Sequence, residues 1–275
     1  MFQSHTFEFK KLIQIGVPIL GSQLSYMLMG TTDTIVAGRA SSADLAGLGV
    51  GSAIFNTIWF LIAGVIFAVT PIVAQLYGAK KFNEIGTKLR EVLWIALALG
   101  FAVCTILFFM GNFLFYLPID TSITSISSSY LKALSLGIIF MTIFTTLRCY
   151  SEGMALTRPV FYIAFFGMLL NIPLDIIFVY GYFGVPKLGG VGCGIATTLV
   201  SFLMMLTLII YIFLSKNSSS TKPFSTFTPP SAKTTKEIFK LGTPIGFGIF
   251  IELSMFSGAA LILGVLGETI VAGHY

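Results

Sequence analysis

The chain has 275 residues, of which 56% are hydrophobic and only 10% are charged, and its mean hydropathy is +0.93. Soluble domains carry about 25% charged residues, so this composition excludes an ordinary soluble domain and predicts a membrane protein. The net charge of +5 comes from short basic clusters between long apolar runs, a pattern that indicates membrane topology rather than nucleic-acid binding.

Six apolar runs follow one another along the chain, and a seventh begins near residue 237. A helix needs about 20 such residues to cross the hydrocarbon core of a bilayer. A β-barrel would require strands in which polar and apolar residues alternate, and runs such as VLWIALALGFAVC do not alternate. We therefore predict an all-α membrane protein, with spans near residues 12–38, 45–78, 91–117, 130–156, 160–183 and 189–214.

The basic residues are distributed unequally between the two sides of the predicted bundle. With the N-terminus in the cytoplasm, thirteen of the 16 Lys and Arg residues fall on the cytoplasmic side, and Arg39, Lys132 and Lys187 fall outside. Loops rich in Lys and Arg stay in the cytoplasm. The sequence therefore predicts a multi-pass protein whose N-terminus is cytoplasmic.

The segment at 215–235, SKNSSSTKPFSTFTPPSAKTT, is polar, basic and low in complexity, which is typical of a linker. The sequence that follows it resembles the start of the chain, because FKKLIQIGVPI (9–19) and EIFKLGTPI (237–245) both lead into G-x-P-I. Setting Pro18 on Pro244 gives an offset of 226 residues, with eight identities in 40 positions. An offset of 235, which pairs DTIVAG (33–38) with ETIVAG (268–273), stays open.

This internal repeat predicts the domain organisation. Two repeated halves around a central site are a common transporter architecture. We expect a six-helix N-terminal lobe at 1–214, a cytoplasmic linker at 215–235 and the start of a second lobe, helix 7, at 236–275. A second copy of that length would end at about residue 460, so the chain is expected to hold one helix of the second lobe.

Seven stretches, taken in order, resemble the multidrug and toxic compound extrusion (MATE) family, particularly its bacterial NorM-type members. They are GVPIL, MGTTDTIVAG, PIVAQLYGA, SEGMALTRP, LLNIPLDIIFVYG, GGVGCGIAT and LGTPIGFGIFIELSMF. The resemblance covers residues 10–275 and implies a twelve-helix, two-lobe antiporter of the inner membrane, a monomer when full length. It implies export of organic cations and other drugs in exchange for Na⁺ or H⁺, with no enzyme activity, no catalytic residue, no cofactor beyond the coupling ion and no nucleic-acid partner.

Three of the eleven acidic residues lie inside the predicted spans: Asp33, Asp175 and Glu252. An ionisable group there costs at least ~2.5–3.5 kcal/mol, so it normally faces a partner or a wet cavity. Asp33 and Asp175 lie about 8 and 12 Å from the outer ends of their spans. Asn171, one helical turn before Asp175, shares its face, and Thr197 lies at a similar depth. We predict that these four side chains meet in the outer half of the first lobe.

Carboxylate, amide and hydroxyl oxygens suit Na⁺, and two neighbouring carboxylates suit a shared proton. The resemblance carries cation or proton binding onto Asp33, Asn171 and Asp175. It extends less firmly to Thr197, because Thr198 is adjacent, and to Glu252, which resembles an acidic residue of the second lobe that takes part in coupling. Tyr26, on the same helical stripe as Asp33, is the aromatic residue expected in a drug pocket beside Asp33. The plainer alternative is that the two aspartates only hydrogen-bond helices together.

Three other functions stay open at this point. A lipid-linked sugar flippase of the same superfamily would be expected to line its cavity with several arginines, but Arg148 alone lies near a span. An intramembrane aspartyl protease could use Asp33 and Asp175, although the chain has T-D and L-D where such enzymes have Y-D and G-x-G-D. The third alternative is an inactive truncated product.

Overall fold

The computed structural model describes residues 2–116 and 120–264. The described residues form nine α-helices and one short 3₁₀ turn, Leu114–Tyr116, and no strand. The helices are α1 (Phe2–Ala40), α2 (Ser42–Phe67), α3 (Val69–Gly78), α4 (Phe82–Phe113), α5 (Thr121–Gly153), α6 (Thr157–Tyr180), α7 (Gly190–Leu214), α8 (Lys216–Ser219) and α9 (Ala232–Gly264).

Six segments are long and apolar enough to cross a membrane, and they correspond one to one with the six predicted spans. They are Leu12–Ala40, Ser42–Gly78, Phe82–Tyr116, Thr121–Gly153, Thr157–Tyr180 and Gly190–Leu214. The all-α membrane class predicted from the sequence is therefore confirmed. The third and fourth spans each begin nine residues before the predicted start. Hydropathy misses these first turns, FNEIGTKLR and TSITSISSS, because their side chains are largely polar although their backbone is helical.

The second span consists of two helices, α2 and α3, which are separated at Ala68. Pro71 lies in the first turn of α3 and has no N–H to offer the carbonyl of Phe67. A proline at this place removes a helical hydrogen bond and interrupts the helix. The local sequence thus accounts for the break.

Helix α5 lies at the centre of the lobe and packs against α2, α3, α4 and α7. It is the most buried of the six spans, whereas α1 is the least buried and packs mainly along α6. Close packing of α5 on α7 requires a glycine at 137, since a Cβ there would lie 2.5 Å from the Thr198 hydroxyl. One side of α1 stays exposed along its length, including Leu20, Leu24 and Met27.

The segment predicted as a linker is anchored on the first lobe by polar contacts. The hydroxyl groups of Tyr150 on α5 and Thr221 lie 2.6 Å apart and are buried. Arg90 on α4 donates from Nε to Thr228 Oγ1 at 2.9 Å and from Nη1 to the Lys222 carbonyl at 2.7 Å. A polar, low-complexity composition therefore does not prevent this segment from adopting a defined path.

The first turns of α9 are tied to α4 by a charged network. Lys88 Nζ lies 2.5 Å from Glu237 Oε2 and 2.8 Å from Thr234 Oγ1. The same threonine hydroxyl donates to the carboxylate of Glu91, which is buried. Helix α9 begins at Ala232, four residues before the predicted start of the second unit, because this network includes the first turn of the helix.

Beyond that network, α9 crosses α2 at glycines. A Cβ on Gly64 of α2 would lie 2.1 Å from the Cα of Gly246, and a Cβ on Gly242 would lie 2.5 Å from the Cα of Val65. Glycines spaced four residues apart allow two helix backbones to approach this closely. The part of α9 near Pro244 is therefore packed directly on the first lobe.

The replacement Arg90→Met is expected to free the anchored segment while leaving the spans folded. It removes two hydrogen bonds from a charged donor, one partly buried and one exposed, which together contribute roughly 1.5 kcal/mol. We expect amide hydrogen exchange in residues 221–231 to become about tenfold faster. Arg158→Met, at the exposed start of α6, is the matched control, and equal exchange in both variants would show that Arg90 does not hold the segment.

Candidate functional site

Three helices converge on the buried polar side chains of the first lobe. Asp33 comes from α1, Asn171 and Asp175 come from α6, and Thr197 comes from α7. Asn171 and Asp175 are completely buried, and Asp33 is 7% exposed. The long packing of α1 along α6, with α7 against both, brings these side chains together.

One amide bridges the two carboxyl groups. With its nitrogen facing the acceptors that surround it, the Asn171 amide lies 3.3 Å from Asp33 Oδ1 and 3.2 Å from Asp175 Oδ2. Thr197 Oγ1 donates to Asp33 Oδ2 at 3.1 Å. The structure thus places the four residues that the sequence singled out in one cluster, which we call the Asp33 cluster. Their role in binding a cation or a proton stays a prediction.

The adjacent residues Thr197 and Thr198 have different hydrogen-bond partners, which distinguishes their roles. Thr198 Oγ1 donates to the Ala133 carbonyl of α5 at 2.9 Å. Thr197 alone of the two therefore faces Asp33. The difference arises because successive residues on a helix point about 100° apart, so that one faces α1 and the other faces α5.

Among the described residues, the Asp33 cluster has no basic partner. Within the described ranges, no Lys, Arg or His lies within salt-bridge distance of Asp33 or Asp175. The same ranges contain no group of three or more His, Cys, Asp or Glu side chains suited to a metal ion. Among the described residues, the two buried carboxyl groups are thus stabilised by neutral hydrogen-bond donors. A pair of this kind is stabilised when a proton or a monovalent cation reduces its charge.

Two further groups adjoin this cluster. The Cys193 thiol of α7 lies 3.6 Å from the Asp33 backbone carbonyl, so this cysteine, which is fully buried, fills space between α1 and α7. Tyr180 of α6 donates to the Val36 carbonyl at 3.3 Å. Neither contact is visible in a linear sequence, because each partner lies more than 140 residues away.

Tyr26 lies two helical turns from Asp33, about 10 Å along α1, and belongs to a different cluster. Its ring packs 6.4 Å from Phe144 and 5.4 Å from the guanidinium of Arg148. Its hydroxyl is buried without a hydrogen-bond partner among the described residues. The structure therefore does not bring Tyr26 to Asp33, and its role in a drug pocket stays a prediction.

Arg148 and Glu152 form a largely buried ion pair one turn apart on α5, near the end opposite Asp120. Arg148 Nε lies 3.6 Å from Glu152 Oε1, and the guanidinium also lies 5.5 Å from the centre of the Phe67 ring. Arg148 is 8% exposed. The i, i+4 spacing in LRCYSEG allows this pair, but the sequence does not show that it is buried.

Glu252 does not join either cluster. It is exposed on α9, which packs against α2 and α4 rather than against α1, α6 or α7. Of the residues predicted to act on a cation, four therefore meet in the first lobe and the fifth lies apart. The ETIVAG segment (268–273), on which the alternative repeat offset of 235 depends, lies outside the described residues.

Comparison with known proteins agrees with this architecture. The family model described as MatE matches residues 18–177. The chain is 36% identical over 267 residues to the "Multidrug resistance protein NorM" of Vibrio cholerae serotype O1, covering 97% of this chain and 58% of the relative. It is 38% identical over 268 residues to the "Probable multidrug resistance protein NorM" of Acinetobacter baylyi, covering 98% and 60%. The chain thus spans about three-fifths of the length of these curated relatives.

Solved structures share the fold. The eukaryotic MATE transporter AtDTX14 superposes with a TM-score of 0.81 at 18% identity, covering 95% of this chain and 57% of that chain. A MATE in complex with MaD3S gives 0.84 at 21% identity, covering 96% and 59%. The six-span lobe and these matches show that the chain is a multi-pass membrane protein with the MATE fold. The chain belongs to the MatE family, as the sequence motifs predicted.

Removing one partner of the buried ion pair is expected to destabilise the lobe more than removing both. Arg148→Met leaves the Glu152 carboxylate buried without a counter-charge, which costs about 3–5 kcal/mol. Arg148→Met combined with Glu152→Gln removes that isolated charge and is expected to recover at least about half of the loss. Unfolding of the detergent-solubilised chain by SDS, followed by tryptophan fluorescence, measures both. A double variant as unstable as the single one would show that the pair does not carry this energy.

Proposed function

We propose that this chain forms the first lobe of a multidrug exporter that exchanges organic cations for Na⁺ or H⁺. The names of the similar proteins from Vibrio cholerae and Acinetobacter baylyi refer to multidrug resistance. The observation that carries the coupling part of the proposal is the Asp33 cluster, in which two buried carboxyl groups share one amide and have no basic partner among the described residues.

In this proposal the Asp33 cluster binds the coupling ion. For a proton, one carboxyl group of the pair takes it up, and the amide and hydroxyl donors hold the other. For Na⁺, the Asn171 amide turns so that its oxygen faces the ion. The Thr197 hydroxyl also presents its oxygen to the ion, since hard cations prefer oxygen ligands. Either ion reduces the negative charge of the Asp33–Asp175 pair, which lies between α1, α6 and α7.

Drug release follows from this neutralisation. Asp33 is proposed to hold the cationic drug as well, so that ion and drug compete for one carboxylate and each lowers the affinity for the other by the same factor. Tyr26, on the same helix, and Glu252, on α9, are proposed to complete the drug and coupling sites in the assembled transporter. Pro18 interrupts the hydrogen bonds of α1 and gives this helix a point at which to bend.

The proposed setting is the bacterial inner membrane, with the N-terminus and the anchored segment 215–235 in the cytoplasm. The support is the excess of Lys and Arg at that end of the bundle. The proposed unit is a monomer in the bilayer that acts on small organic cations, not on nucleic acid. A sugar-lipid flippase is less well supported, because Arg148 is engaged by Glu152 and two aromatic rings rather than free to bind a phosphate.

Ion binding by this chain alone provides a direct test. The chain in lipid nanodiscs is expected to gain thermal stability on adding NaCl, relative to choline chloride, or on lowering the pH. A ligand at 100 times its dissociation constant contributes about 2.7 kcal/mol. A response to Na⁺ at constant pH identifies sodium, and a response to pH alone identifies the proton.

Variants locate that response. Asp33→Asn and Asp175→Asn are expected to abolish it. Asp120→Asn is expected to preserve it, since Asp120 is an exposed helix cap and asparagine caps equally well. Identical responses in the original chain and in both cluster variants would refute the site.

Transport itself is tested in a protein that contains this chain together with a second lobe. Asp33→Asn or Asp175→Asn is expected to reduce gradient-driven efflux of a fluorescent organic cation at least about a hundredfold, because a coupling free energy of 3 kcal/mol is lost. The amount of protein in the membrane is expected to stay the same. Normal efflux by both variants would contradict the coupling role.

A further inference from the structure

Two open grooves of similar size lie between neighbouring spans of the lobe. The groove between α6 and α7 has a volume of about 320 Å³, and its lining side chains, which include Tyr162, Phe166 and Met204, are uncharged. The groove between α4 and α5 has a volume of about 300 Å³ and is lined by Cys104, Thr105, Phe108, Phe109, Lys132, Ser135 and Leu136. The two grooves differ in one respect that needs an explanation, since the second contains a lysine.

Lys132 lies inside a membrane span rather than in the outer loop. Helix α5 has 33 residues and is about 50 Å long, so each end projects about 10 Å beyond a hydrocarbon core of about 30 Å. The backbone of Lys132 is about 17 Å from the start of α5 and hence a few ångströms within the core. A lysine stem of this length reaches back to the level of the lipid phosphates.

The groove opens on the outer surface of the described lobe. Phe109 is 63% exposed and Leu136 is 61% exposed, and both lie on helices that cross the membrane. Apolar side chains of this size, exposed within a span, contact acyl chains. A component of the bilayer fits a groove of this kind.

The ammonium of Lys132 has no counter-charge among the residues that the structure describes. Its Nζ lies 5.8 Å from the centre of the Phe108 ring, and within the described residues no carboxylate lies within salt-bridge distance. The Ser135 and Thr105 hydroxyls donate to the carbonyls of Lys132 and Phe101, respectively, so their protons are already used within the helices. An anionic group from outside the chain would compensate this charge at the membrane boundary.

We propose that the α4–α5 groove is a binding site for an anionic phospholipid. The phosphate pairs with the Lys132 ammonium, and one acyl chain lies along Phe108, Phe109 and Leu136. The charge of Lys132 selects the headgroup, and the apolar groove holds the chain. The site shares no residue with the Asp33 cluster, so it stands or fails independently of the proposed transport function.

Native mass spectrometry of the detergent-solubilised chain tests the site with phosphatidylglycerol as the probe. Lys132→Met is expected to weaken phosphatidylglycerol binding about fivefold, the effect of one ammonium near a lipid headgroup. Lys132→Arg is expected to preserve the affinity. Lys187→Met, which removes an exposed lysine from the loop at the same end of the bundle, is the control for general charge and is expected to bind as the original chain does.

A second measurement keeps the test independent of how Lys132 variants fold. Leu136→Trp fills the groove without changing the charge and is expected to weaken phosphatidylglycerol binding by a similar factor. In the original chain, diacylglycerol with the same acyl chains, which lacks the phosphate, is expected to bind at least about fivefold more weakly. Equal binding of the two lipids, equal binding by Lys132→Met and the original chain, or an equal loss in Lys187→Met would each overturn the proposal.

Discussion

The structure of the lobe depends on the burial of two carboxyl groups within its membrane-spanning part. Asp33 and Asp175 are held by one amide and one hydroxyl, and the described residues offer them no positive charge. Such a pair is tolerated in a bilayer where neighbouring helices enclose it and supply hydrogen-bond donors. The packing of α1 along α6, and of α7 against both, meets that requirement.

A second buried polar cluster lies toward the other end of the lobe and is built differently. Arg148 is compensated by Glu152 and by two aromatic rings, so charge there is neutralised within the protein. Helix α1 contributes Asp33 to one cluster and Tyr26 to the other. It is also the least buried span. The least buried of the six spans thus carries groups of both clusters.

Charge is also what ties α9 to the first lobe. Lys88 and Glu91 of α4 hold the first turns of α9, and Arg90 holds the segment before it. Further along, α9 lies on α2 at Gly64 and Gly246. Helix α9 is therefore fixed to the six-span lobe at two levels, by polar contacts at its start and by backbone proximity near Pro244.

The sequence by itself determined the all-α membrane class, the six spans, the family and the shared face of Asn171 and Asp175, because hydropathy, motif order and helical spacing are local properties. Only the tertiary structure decided that Thr197 rather than Thr198 faces Asp33, that Tyr26 packs on Arg148, and that the polar segment after α7 is anchored. Spacing along one helix fixes which residues share a face. The rotation of that helix against its neighbours depends on side chains distant in sequence, and that rotation determines which groups meet.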